Sequence, residues 1–185
     1  MTLVEDPATV GERTPGRSNG GHREQMKHWE QFRSYKERGE WVELQFMAQA
    51  ARRQFAVCKP WGETHYYDIG IEHGPNFLRV QIKSTSYRRN AGYWCDFKPN
   101  RQTSREYSLE KLDLFAAYVI PVDAWYLIPA ALLLGARPKG GLPLSPVTPP
   151  VKKKSYCYEC YREAWGLLTR SRSELVSDVR SASRT

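Results

Sequence analysis

The sequence lacks most of what marks a membrane or secreted protein. No apolar run in its 185 residues approaches the ~20 needed to span a bilayer as a helix. Cysteine is sparse: the four, at 58, 95, 157 and 160, are too few for a small secreted disulfide scaffold. A structural zinc usually takes two Cys knuckles, and only one close pair exists, Cys157-Tyr-Glu-Cys160. These cysteines read as buried or half-buried thiols, with Cys157 and Cys160 on one face of a late helix. The opening stretch MTLVEDPATVGERTPGRSNGG is polar and carries acids, unlike a signal peptide. These absences predict an intracellular, cytoplasmic protein with no membrane partner. Acids are also in deficit: 20 against 28 Lys and Arg, a net charge of +8 and a pI of about 9.4. That balance favours a polyanionic partner, nucleic acid first. There is no internal repeat.

What is present fits one domain between two polar ends. Residues 1–25 are rich in Gly, Pro, Ser, Arg and Glu without periodicity, and read as a disordered arm. In KHWEQFRSYKERGEWVELQFMAQAARRQF, residues Trp41, Leu44, Ala48, Ala51 and Phe55 recur at helical spacing, and Gly39 is expected to separate a short helix from the main one. Strands follow: AVC, then HYYDIGIE and NFLRVQIKSTS joined by a Gly-Pro turn, then AGYWCDFK. LDLFAAYVIP and AWYLIP are two more, and AALLL a short helix. Residues 136–154 look like an extended Pro/Gly-rich linker to a last helix over 155–168, and residues 169–185 like a disordered tail. The domain is therefore expected over 26–168. Strands in series with helices outside predict an α/β fold, a mixed central sheet flanked by helices.

One constellation carries chemistry. In LRVQIKST, Leu78, Val80 and Ile82 alternate with Arg79, Gln81 and Lys83, so Gln81 and Lys83 share a face. The neighbouring YYDIGIE carries a lone acid, Asp68, in apolar company, which an acid tolerates when a metal or cation partners it. If the two strands pair as a hairpin, Asp68, Gln81 and Lys83 emerge together at its open end, with small Gly70 leaving room and an acid of the preceding helix leaning over. Hard oxygen ligands of this kind suit Mg²⁺, or Mn²⁺, beside a phosphodiester: Asp68 gives a carboxylate, Gln81 an amide oxygen and Ile82 a backbone carbonyl. A lysine there orients water and offsets charge developing on phosphorus. A cation and an anion 4 Å apart interact by ~4 kcal/mol at an effective dielectric of 20, so placement decides the outcome. On the helix wheel alone, Glu40 and Glu43 remain equal candidates.

GEWVELQFMAQAARRQF, KPWGETHYYDIGIE and LRVQIKST, in that order and spacing, resemble the PD-(D/E)XK nuclease superfamily, the restriction-endonuclease-like fold. The similarity is nearest to the branch with Gln in its third motif, which includes intron-encoded homing endonucleases. DLFAAYVIPVDAWYLIPAALL and YREAWGLL resemble the end of that branch's domain, so coverage runs from about Lys36 to Leu168. The resemblance implies Glu43 as the helix acid, four residues after Gly39, Asp68 as the metal-binding acid, Gln81 as the third-motif ligand and Lys83 as the catalytic lysine. Gln81 stands where the superfamily usually has an acid, removing one negative charge, and Tyr67 stands where a proline is common. The implied activity is metal-dependent DNA endonuclease, homing or restriction-like. Its alternatives are a junction or repair nuclease of the same fold and a nucleic-acid-binding module decayed at Gln81. Arg88, Arg89, Lys98 and Arg101, interleaved with Tyr87 and Tyr93, are the candidate phosphate contacts. Cutting two strands takes two sites, so a homodimer or higher oligomer is expected. His65, His73 and Asp113 are titratable neighbours with bland readings: exposed loop histidines and a structural acid.

Overall fold

The computed structural model describes residues 32–62, 65–98, 107–135, 141–146 and 158–182. The expected arm over 1–25, Arg101, Cys157 and the lysines at 152–154 lie outside the described residues.

Helix α1 (Tyr35–Arg52) starts where Ser34 caps it: the Glu37 N–H donates to Ser34 Oγ at 3.1 Å, and the Glu37 carboxylate accepts from Arg33 N–H at 2.7 Å. It ends at Arg52, and two residues on Gln54 takes a left-handed φ of 66°. The helix is continuous through Gly39, contrary to the expected break; the packing of the turns beyond outweighs the ~1 kcal/mol that a mid-helix glycine costs. Its buried stripe is also rotated from the expected one. Val42, Phe46 and Ala50 face the core, while Leu44, Ala48 and Ala51 are exposed. Both stripes have helical spacing, and only the sheet beneath selects between them.

The main sheet runs β1 (Ala56–Cys58), β2 (Ile69–His73), β3 (Asn76–Thr85), β6 (Leu114–Val119), β7 (Ala124–Pro129), in that spatial order. All neighbours are antiparallel except β3 and β6. The β2–β3 hairpin closes with His73 opposite Asn76 and Gly74 at a φ of 57°, where a side chain would be strained. A parallel β3–β6 pair demands a long crossover. Here it carries β4 (Arg88–Arg89) and β5 (Gly92–Asp96), which join β8 (Gly141–Leu144) in a second, three-stranded sheet.

Two apolar layers sandwich the main sheet. Val42, Phe46 and Ala50 pack on Ile69, Ile71, Leu78, Val80, Ile82 and Leu127 on one face. On the other, Phe115, Ala117, Tyr126 and Ile128 meet Cys95, Leu142 and Leu144 of the small sheet and Val179. Strands β6 and β7 are buried on both faces, which is why their sequences are apolar throughout rather than alternating.

Three expectations about the C-terminal part differ from what is seen. Within the expected linker, β8 pairs with β5 and buries Leu142 and Leu144, while Pro143 faces outward at the sheet edge, where its missing N–H is tolerated. A Cβ on Gly141 would strike the Trp94 ring. In place of a late helix there are two 3₁₀ turns, Tyr158–Tyr161 and Trp165–Thr169. Glu163 between them has a φ of 50°, and its carboxylate accepts from Trp125 N–H and Trp165 Nε1–H, so the segment is tied to β7 instead of coiling on itself. The expected tail is helix α3 (Arg172–Ala182), after short α2 (Ala130–Gly135). Ser171 and Glu174 cap α3 reciprocally, and Leu175 and Val179 are buried.

Candidate active site

Asp68 is the residue just before β2. Its N–H donates to Val80 O at 3.0 Å, which extends the Ile69–Val80 register and sets Asp68 opposite Gln81 at the open end of the hairpin. In a strand, alternation then puts Asp68, Gln81 and Lys83 on one face, opposite the face that α1 covers.

The Asp68 carboxylate is asymmetrically engaged. Its Oδ2 accepts from the Ile82 backbone N–H at 2.6 Å and from Gln81 Nε2–H. No described residue donates to its Oδ1. With its amide nitrogen committed to Asp68, Gln81 keeps Oε1 for another partner. A residue's N–H and C=O point to the same side of a strand, so the Ile82 carbonyl, like its N–H, points toward Asp68, past where β2 begins. Burial pushes the Asp68 carboxyl up to about 6 from an ordinary 3.8. The Ile82 hydrogen bond and the charges of Lys83 and Lys59 pull it down, and Glu43 pushes it up.

Glu43 comes from α1, and its Oε2 lies 2.8 Å from Lys59 Nζ. Lys59 follows Cys58, which pairs with Gly70, so it stands at the same sheet end as Asp68. The lysine's pKa is raised, first by the hydrogen bond to Glu43. Glu40 is exposed and acts on Lys59 only through its charge. Lys83 Nζ sits 5.5 Å over the Tyr107 ring. The structure thus gathers Glu43, Asp68, Gln81, Ile82 and Lys83, and adds Lys59, which sequence reasoning missed. Its signal was there: antiparallel pairing of AVC with IGI puts the next residue, 59, beside the acid.

Gly70 does not leave open room. The Phe77 ring fills the space where its Cβ would be, and Tyr67 meets that ring edge-on. Asp113 is a structural acid, paired with Arg79 and Arg172. His65 contacts Trp61 O, and His73 packs edge-on against Phe55. Arg88 and Arg89 are exposed on β4, the latter 4.5 Å over the Trp94 ring, and Lys98 is exposed just beyond β5. Of the cysteines, Cys58 and Cys160 are exposed and Cys95 is buried.

The donor set fits a hard divalent ion. Asp68 Oδ1, Gln81 Oε1, the Ile82 carbonyl and the Glu43 carboxylate are all oxygens. Among the described residues no three His, Cys, Asp or Glu side chains come together as a metal site, so this set has only two carboxylates and depends on the amide and backbone oxygens beside them.

The family model for PD-(D/E)XK endonuclease matches residues 33–137, more than half of the chain. The fold is similar to a solved bacterial homing endonuclease, I-Ssp6803I, with a TM-score of 0.61 and 22% identity over 80% of this chain and 98% of that one. Comparison with curated proteins returns no match.

Proposed function

Because the chain belongs to the PD-(D/E)XK endonuclease family, we propose that it hydrolyses DNA phosphodiesters with a divalent metal, Mg²⁺ in the first instance, at the Asp68 end of the sheet. The observation that carries this reading is Asp68 itself: a half-buried residue whose carboxylate has one oxygen fixed and the other bare, within the fields of two lysines. Asp68, Gln81, the Ile82 carbonyl and Glu43 would hold the ion. When bound, the ion screens phosphate charge and acidifies a water. Lys83, steadied by Tyr107, orients the attacking water and offsets charge on the phosphoryl oxygens. The Ile82 N–H and the Gln81 amide fix Asp68 so that its free oxygen keeps its aim. Arg88, Arg89 and Lys98 supply a basic approach surface for the backbone. Two-strand cleavage by a homodimer, and homing as the setting, follow the same reading. Among the described residues no helix is long and apolar enough to cross a membrane.

The test is incubation of the protein with a library of duplex targets plus Mg²⁺ or Mn²⁺. Cleavage lost on chelation and in Lys83→Ala supports the reading; chelator-resistant cleavage ends it. Branched and single-stranded substrates in parallel separate a junction or repair role. Salt-sensitive DNA binding without cleavage of any substrate leaves a decayed module.

A further inference from the structure

Lys59 has no part in the chemistry above, yet it holds one of the acids that chemistry needs. Its ammonium sits 2.8 Å from Glu43 Oε2, with its side chain 51% exposed against 20% for Glu43. At that exposure an ion pair is weak, worth at most about a fivefold bias in an equilibrium, so it is easily exchanged. The charges at this end of the sheet include Glu43, Lys59 and Lys83, which act on Asp68, and Glu40, which acts on Lys59 from the exposed side of α1. Three acids thus stand against two lysines. A divalent ion entering this set must compete with Lys59 for Glu43. It leaves one positive charge in excess, which one DNA phosphate offsets, and that phosphate offers Lys59 another anion.

We propose that Lys59 is a DNA-phosphate-binding residue that occupies Glu43 when no DNA is present, so that metal and DNA bind cooperatively. The inference rests on reading Glu43 and Asp68 as metal ligands. Its mechanism is an exchange of partners by one flexible ammonium: Glu43 in the free protein, a backbone phosphate in the complex. By linkage the effect is reciprocal, with DNA tightening metal binding by the same factor that metal tightens DNA binding.

The test uses the full chain and Lys59→Met, Lys59→Arg and Asp68→Asn, with circular dichroism to verify folding. Mn²⁺ affinity of the free protein is read by electron paramagnetic resonance. Affinity for a labelled mixed-sequence duplex is read by anisotropy in chelator and in Ca²⁺ over a range of salt. Lys59→Met should bind Mn²⁺ about fivefold more tightly in the absence of DNA. Its Ca²⁺ enhancement of DNA binding should shrink by a similar factor, and its salt slope should fall by about 0.9, one phosphate contact. Lys59→Arg should keep the coupling. Unchanged or weaker Mn²⁺ binding by Lys59→Met, or an unchanged salt slope, overturns the proposal while leaving the metal site standing, provided Asp68→Asn binds Mn²⁺ less well. Undiminished Mn²⁺ binding by Asp68→Asn overturns the metal site and the proposal together.

Discussion

Two aspartates occupy nearly equivalent places on either side of β3. Asp68 directly precedes β2 and its N–H donates to Val80 O; Asp113 directly precedes β6 and its N–H donates to Arg79 O, each at 3.0 Å. Asp113 is buried and Asp68 half-buried, and their partners differ. Asp113 accepts from the Arg79 backbone N–H, from Arg79 Nε and Nη2, and pairs with Arg172 Nε, all at 2.9–3.0 Å. Its charge is met by two guanidinium groups, and it fastens β3, β6 and α3 together. Asp68 has only amide donors in contact, and the lysines act on it at a distance. An acid whose charge is matched is a structural joint. One whose charge is left unmatched at a sheet end is a place for a cation.

The largest effects should separate the two by activity. Asp68→Asn should lower cleavage about a thousandfold or more, whereas Asp113→Ala should retain cleavage per folded molecule; single-turnover rates on one target decide it. Next comes stability, in the opposite sense. Removing one partner of a buried ion pair leaves the other uncompensated, so Asp113→Ala should lose about 3–5 kcal/mol in urea denaturation. Asp68→Asn should instead gain about 2–3 kcal/mol at neutral pH without metal. The sign follows from the raised pKa. The unfolded carboxyl releases its proton near 3.8 and the folded one near 6, so metal-free wild-type stability falls as pH rises between them and the full penalty is present above. The gain should shrink as pH drops from 6 toward 4, and a gain that ignores pH would refute the assignment. Smallest is Gly39→Ala, whose added methyl touches neither acid. A Cβ there meets nothing within 4 Å, so thermal unfolding should show about 0.5–1 kcal/mol of stabilisation.

The legible parts were those that a period or a local pairing controls. Alternation in LRVQIKST set which residues share a face and the Gly-Pro turn marked a hairpin, while the register that sets Asp68 opposite Gln81 came from the structure. The apolar runs of β6 and β7 marked strands, and AALLL marked α2. Illegible parts needed a partner from elsewhere in the chain. Gly141–Leu144 becomes a strand because β5 offers it an edge, and residues 158–169 forgo a helix because Glu159 and Glu163 bond to β7, Ser145 and Trp165. The helix caps Ser34/Glu37 and Ser171/Glu174 were signals present in the sequence and left unread.

By itself the sequence determined the kind of chemistry: a lone acid in an apolar strand, an amide and a lysine two residues apart, and a basic chain around them. Side-chain alternation and residue type need no partner to act. The tertiary structure alone decided which face of α1 is buried, that Phe77 closes the space over Gly70, and that Lys59 holds Glu43. Those outcomes depend on which surfaces meet once the chain has closed on itself, and no local pattern carries that information.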